Sequence, residues 1–230
     1  MSSKTNILAI ALTGALVATP VFSKGPGGNP TGPIALSDLN FEEESTLLFM
    51  REEEKVARDV YIQLNEAWGK YSPVFANISE AEQTHMDAVK AMLDRYNLED
   101  PVGDKAVGSF FDDDLQVLHD DLLADGLASY EAALNVGGLI EEVDIDDLIA
   151  AIEESDNEDL DKVYGNLLRG SYNHLRAFVA ELALLGIAYD NTVLDDDDFN
   201  AIINGEMQAG GQGNGAGGKG NGTSGKGGRR

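Results

Sequence analysis

The sequence has no cysteine, and only 16 of its 230 residues are Lys or Arg, against 41 Asp and Glu. Without cysteine there can be no disulfide scaffold, thiolate zinc site, iron–sulfur cluster or cysteine nucleophile. The formal net charge of −25 disfavours nucleic acid and anionic membrane surfaces, because both are polyanions. The composition therefore predicts metal cations as partners and no nucleic acid.

Motifs of several enzyme classes are also missing. No glycine-rich loop leads into a helix with a following lysine, as a phosphate-binding loop would. The serines show no pairing with a histidine and an acid that would indicate nucleophilic hydrolysis. No alternating polar and apolar run predicts a β-strand.

The first 23 residues are typical of an export signal. Lys4 precedes an apolar run over residues 7–18, and small residues end at Ser23, where a signal peptidase would cut. The run is shorter than the roughly 20 apolar residues that span a membrane. We therefore predict export to the periplasm, cell envelope or extracellular space, with no stable membrane anchor after signal removal.

Glycine-rich segments bound a single domain. Residues 24–35 are typical of a linker, and residues 209–230 carry four basic residues and almost no apolar side chain, which predicts a disordered tail. The domain between them, residues 36–208, contains all 41 acidic residues and ten of the 16 basic ones. We expect one strongly acidic folded domain.

Apolar residues recur at helical spacing through this domain. Helix A is predicted over Ser37–Glu66, with Ser37 as its N-cap. Helix B has two candidate starts: Ser72, which is followed by proline, and Ser79, which forms a capping-box pattern with Glu82. We prefer Ser72, because the apolar face then continues unbroken to about Tyr96.

The second half of the domain predicts a similar pair. After a connection that includes a short helix at 114–124, helix C is predicted over 129–154, with a weak point at its two adjacent glycines. A turn at 155–157 then leads into helix D, which continues to about Leu185. The fold class is all-α, most simply a four-helix bundle of two hairpins.

Glu82 and His85 are the strongest candidates for metal ligands. Three residues along a helix place two side chains about 60° apart, so both can reach one ion. A carboxylate and an imidazole suit iron, manganese or zinc. The two residues lie on an apolar stripe, where an unpaired carboxylate would cost several kcal/mol.

The other three helices each supply an inward candidate. Helix A offers Glu54, with Glu53 as an alternate, helix C offers Glu141, and helix D offers His174. Glu141 and His174 lie sixteen and seventeen residues from the turn at Asn157, so both are roughly 25 Å from it. Glu54 and Glu82 lie at similar distances from the turn between helices A and B only if helix B begins near Ser72.

Four segments together resemble a known family. Residues 54–61 contain the Glu-x-x-Ala-Arg-x-x-Tyr pattern of the first metal helix of rubrerythrin-type proteins, and residues 78–85 resemble their second. With residues 138–141 and 169–176, the stretch from about 36 to 186 is similar to an uncharacterised family of ferritin-like proteins, catalogued as a domain of unknown function. The four segments of this chain occur in the same order and with the same spacing as in that family.

The resemblance implies a ferritin-like bundle and a metal site with iron favoured, one or two ions, and Glu54, Glu82, His85, Glu141 and His174 as ligands. It implies Glu82 and Glu141 as bridging carboxylates and Tyr61 as a hydrogen-bond donor behind the ligands. A full two-iron site would have further carboxylates where this sequence has Gly138 and Ser171. We therefore expect metal binding, with metal-dependent oxidoreductase activity as an open option.

A non-catalytic acidic binding module without metal is the alternative, and a homodimer is allowed. Several other charged groups are expected outside the core. Glu52 faces more outward than Glu54, and the pair Arg58–Asp59 is ordinary surface charge. His119 is a surface or local capping residue, and the acidic run Asp195–Asp198 is a solvated helix end.

Overall fold

The computed structural model describes residues 38–207. This part of the chain is all-α and has six helices and no strand. The predicted signal segment, the linker and the Gly-rich tail lie outside the described residues. The helices are α1 (Phe41–Trp68), α2 (Val74–Tyr96), α3 (Asp113–Gly126), α4 (Tyr130–Glu154), α5 (Glu158–Leu184) and α6 (Asp196–Ile203).

The four long helices pack as two hairpins. Helix α1 lies along α2 and α4 lies along α5, each pair joined by a short turn. The hairpins meet through α1 against α4 and α2 against α5, which makes a four-membered ring of helices. The short α3 packs against α1 and α4, and α6 packs against α5. Two hairpins with a short helix in the connection were predicted, whereas α6 was not.

The helix ends show which capping signals the chain uses. Helix α1 begins at Phe41, because the Asn40 side chain accepts a hydrogen bond from the Glu43 amide and the Glu43 carboxylate accepts one from the Asn40 amide. The expected start at Ser37 was therefore wrong by about one turn. The Ser72 start of helix B was close, since α2 begins at Val74 and the Ser72 hydroxyl accepts from its amide.

The two adjacent glycines do not interrupt α4, which is one continuous helix. A Cβ on Gly137 would lie 2.5 Å from the Phe178 ring, and one on Gly138 would lie 2.5 Å from the Tyr189 ring. Both distances are below any real Cβ contact. The glycines therefore let α5 and the segment after it approach α4 closely, and close packing offsets their poor helix propensity.

The core divides into two apolar clusters with a polar layer between them. On α1 one cluster ends at Met50 and the other begins at Val56, and on α4 the change falls between Ile140 and Ile145. On α2 the gap contains Glu82, and on α5 the change falls between Leu175 and Phe178, just after His174. All four helices therefore pass from one cluster to the other near these polar side chains.

Three groups expected at the surface are buried instead. Glu52 is 3% exposed and accepts hydrogen bonds from the amides of Phe111 and Asp112. Asp59 is fully buried and pairs with the buried Lys55. His119 is 2% exposed. The segment between α2 and α3 covers this side of α1, and sequence periodicity does not detect such long-range cover.

The acidic run Asp195–Asp198, expected at a helix end, forms the start of α6. Asp195 is the N-cap of α6 and accepts a hydrogen bond from the Asp198 amide. Within residues 38–207, none of the helices combines the length and the apolar character needed to cross a membrane.

Candidate metal centre

The five candidate ligands lie in one continuous row across the polar layer. Glu54 Oε2 is 3.2 Å from His85 Nδ1, which is 2.7 Å from Glu82 Oε2. The other Glu82 oxygen is 2.8 Å from His174 Nδ1, which is 3.4 Å from Glu141 Oε2. Carboxylates and imidazoles alternate along this row, and Glu82 occupies its centre.

Three of these residues form the tightest group. Glu82, His85 and His174 each offer a ligand atom, and the three atoms lie within 4.8 Å of one another. Glu54 and Glu82 are 1% exposed, and His85 and His174 are 9% and 8% exposed. One helical hairpin supplies Glu54, Glu82 and His85, and the other supplies Glu141 and His174, so closing the bundle assembles the centre.

Several atoms in the row lack a hydrogen-bond partner. Glu54 Oε1, Glu82 Oε2 and His174 Nδ1 are buried without one, although Glu82 and His174 are in ion-pair contact. Distance alone therefore does not make these contacts hydrogen bonds, because the angles are unsuitable. Unpartnered buried oxygen and nitrogen atoms that face one another at short range fit a shared cation, so this donor set suits a metal ion.

The electrostatics of the metal-free row are extreme. Burial alone would lower the pKa of His85, but Glu54 and Glu82 raise it to about 12. Burial likewise opposes the charge on His174, whereas Glu82 and Glu141 raise its pKa to about 10. Without metal, both rings are imidazoliums at neutral pH, and a cation that takes their place must displace their protons.

Two residues around the row hold it in position. The Tyr61 hydroxyl donates a hydrogen bond of 2.6 Å to Glu141 Oε1, as a residue behind a ligand would. On the other side, a Cβ on Gly170 would lie 2.6 Å from Cε1 of the His85 ring. Gly170 therefore provides the space in which this ring turns its Nδ1 toward the carboxylates.

Asp144 is a buried acid near the row that was not among the predicted ligands. It lies three residues after Glu141, is 6% exposed, and has an unpartnered Oδ1. Its other oxygen accepts a hydrogen bond from the Ser171 hydroxyl. Burial and the negative charges of Glu141 and Glu82 raise its pKa to about 7. The three-residue spacing that singled out Glu82 and His85 would also have identified this pair.

The two positions that lack a carboxylate have structural roles. Gly138 accommodates the Tyr189 ring, and Ser171 holds Asp144. Glu53, the alternate for Glu54, does not join the row and lies toward Asp144 and Asp147. The structure therefore brings together the five preferred candidates and separates the alternate from them.

Residues 43–206 match the model described as "Uncharacterized protein domain (DUF2202)". The chain belongs to this family. The DUF2202 match includes all six helices except the first two residues of α1, and therefore the whole candidate centre.

Known relatives agree with this assignment. The uncharacterized protein MJ0754 of Methanocaldococcus jannaschii is 44% identical over 172 residues, which cover 75% of this chain and 92% of that protein. The crystal structure of the hypothetical protein MJ0754 from Methanococcus jannaschii superimposes with a TM-score of 0.69 at 43% identity, covering 77% of this chain and 98% of that one. The helical fold of this DUF2202 chain is therefore shared with an experimental structure.

Proposed function

We propose that the protein is a ferritin-like metal-binding bundle that holds one or two transition-metal ions, with iron favoured, in the row from Glu54 to Glu141. The observation that carries the proposal is the set of buried, unpartnered ligand atoms on Glu54, Glu82 and His174. Five side chains from four helices reach this row. A purely structural polar layer would leave fewer unpartnered atoms.

The row supports distinct roles for its members. Glu82 has one oxygen near each histidine, so it suits a bridge between two ions. Glu54 and Glu141 lie at the ends of the row and suit single-ion binding, and Tyr61 orients Glu141. This arrangement favours an end position for Glu141 over the bridging role expected from the resemblance. Iron held there would supply one-electron chemistry, so the proposal extends to oxidoreductase activity.

Elemental analysis of the full-length protein purified from its native compartment, without added metal, tests the proposal. We expect one or two transition-metal ions per chain, and loss of most of this metal in Glu82→Gln and His174→Ala. The matched control is Glu80→Gln, an exposed position on the same helix. Unchanged stoichiometric metal in both site variants would remove these residues from the centre.

A metal-free binding module is the second candidate, and one observation favours it. The two histidines already contact three carboxylates, so part of the row satisfies itself without a cation. Thermal unfolding with and without a chelator separates the two functions, because only a bound metal adds stability by mass action. No change on chelation would favour the module.

Export is the remaining part of the proposal. It depends on the signal-like residues 1–23, which lie outside the described residues. N-terminal sequencing of the protein from fractionated cells would test it. We expect a mature chain that starts at Lys24, and an intact Met1 in the cytoplasmic fraction alone would contradict export.

A further inference from the structure

A second group of carboxylates lies between α1 and α4, beside the metal row. Glu53 and Asp144 are buried, with 8% and 6% exposure, and Asp147 lies half-buried one turn further along α4. Glu53 interacts with both Asp144 and Asp147, and Asp144 interacts with Glu82 and Glu141 of the row. We call these three residues the acidic seam, and they lead from the half-exposed Asp147 to the row.

The acidic seam has unpartnered oxygens and little compensating charge. Oε2 of Glu53 and Oδ1 of Asp144 are buried without a hydrogen-bond partner. The charged groups that act most strongly on Glu53 are Asp147, Asp144 and Glu54, and all three are acidic. The largest influences on Glu53 therefore all oppose its negative charge. Buried carboxylates in such surroundings attract a cation or must hold a proton.

A cavity adjoins the acidic seam. It has a volume of about 30 Å³ and is bounded by Glu53 and Asp144 together with apolar side chains of α1, α3 and α4. About 10–15 Å³ of such volume is enough for one water molecule. The cavity therefore has the volume of about two waters, and Glu53 and Asp144 are the two polar residues that line it.

The spacing of the acidic seam differs from that of the row. Among residues 38–207, only Glu82, His85 and His174 bring three ligand atoms within 4.8 Å of one another. A looser set of one or two carboxylates, with water completing the shell, holds a cation weakly and releases it easily. These properties suit a transient position more than a resident one.

We propose that the acidic seam is the entry route for divalent cations, where Asp147 and Glu53 take up a hydrated ion and Asp144 passes it to the row at Glu82. This inference rests on the proposed metal-binding function. A line of negative charge in a low-dielectric groove raises the local concentration of cations and their rate of association. The acidic seam therefore controls the rate of loading, whereas the row determines the final amount bound.

Stopped-flow mixing of metal-free, full-length protein with Co²⁺ tests the inference, with the d–d absorption of bound Co²⁺ as the signal. The test variant is Glu53→Gln combined with Asp147→Asn, which keeps both shapes and removes both carboxyl groups. The matched control is Glu153→Gln, an exposed position on α4 that removes a charge outside the acidic seam. Equilibrium Co²⁺ stoichiometry is measured on all three proteins, together with their circular dichroism.

We expect the double variant to bind the wild-type amount of Co²⁺ at least ten-fold more slowly, while the control keeps the wild-type rate. Equal rates in all three proteins would overturn the entry route and leave Glu53 and Asp147 as protonated structural acids. Loss of bound Co²⁺ in the double variant would also overturn it, because Glu53 would then be a resident ligand. Failure of the wild-type protein to bind Co²⁺ would refute the proposed function itself.

Discussion

Gly170→Ala is the most direct test of the geometry around His85. An alanine Cβ at this position would lie 2.6 Å from Cε1 of the ring, whereas comfortable carbon contacts begin near 3.5 Å. The ring must therefore move by about 1 Å, because the Cβ belongs to a helical backbone that cannot shift as easily. Metal–ligand distances tolerate only about 0.2 Å.

The variant should weaken metal binding much more than it weakens the fold. Alanine is favoured over glycine in a helix by about 1 kcal/mol, and overpacking costs about 1–3 kcal/mol. The two effects nearly offset each other, so the metal-free variant should lose at most about 2 kcal/mol. We expect the dissociation constant for Co²⁺ to rise at least ten-fold, which is about 1.4 kcal/mol.

Isothermal titration of the metal-free proteins with Co²⁺ gives the dissociation constants, and thermal unfolding gives the stability. Gly165→Ala is the control, because it lies on the same helix and a Cβ there would meet nothing within 4 Å. It should gain up to about 1 kcal/mol in stability and bind Co²⁺ like the wild type. If Gly170→Ala also binds Co²⁺ with the wild-type affinity, His85 is not a ligand.

Three further outcomes follow from the same centre. Chelation should lower the melting temperature by about 5–10 °C, since a ligand at 100 times its dissociation constant adds about 2.7 kcal/mol to the free energy of unfolding. An unchanged calorimetric transition would argue against bound metal. The metal-free protein should be most stable below about pH 6.5 and lose stability as the pH rises through the raised pKa of His174, about 10. The reason is that the folded imidazoliums hold protons that the unfolded chain releases at lower pH. Urea titrations at pH 6 and pH 9.5 measure this change, and a more stable protein at pH 9.5 would contradict it. Tyr61→Phe should lower the free energy of unfolding by about 1–3 kcal/mol, because it leaves Glu141 Oε1 buried without its hydrogen-bond donor. Urea unfolding measures the loss, and wild-type stability would show that this hydrogen bond contributes nothing.

The central row could be predicted because its members depend on regular helix geometry. Glu82 and His85 share a helix face by spacing, and Glu141 and His174 lie at equal distances from the turn at Asn157. The structure places the last two 3.4 Å apart, as these distances require. Sequence periodicity and hairpin symmetry are sufficient where every contact lies between long, straight helices.

Two kinds of buried residue were not predicted. Some are covered by irregular segments, and one lies further along the inward face of a predicted helix. Glu52 is buried because backbone amides of the segment before α3 donate hydrogen bonds to its carboxylate. His119 is buried because α3 packs against α1 and α4. Neither contact leaves a periodic signal. Asp144 was a different failure, since its spacing from Glu141 was visible in the sequence.

The charges of the polar layer give the strongest general argument for a cation. Five carboxyl groups are buried there, against two histidines. If all five carboxyl groups were ionised, negative charge would exceed positive charge even with both rings protonated, and burial together with Glu141 and Glu82 therefore raises the pKa of Asp144 to about 7. A divalent ion that displaces one imidazolium proton adds a net positive charge to the layer, and two ions would nearly balance it. A stable bundle could replace these groups with apolar residues at little cost, so their presence on all four helices supports the proposed metal function. The carboxyl groups are Glu53, Glu54, Glu82, Glu141 and Asp144, and the histidines are His85 and His174.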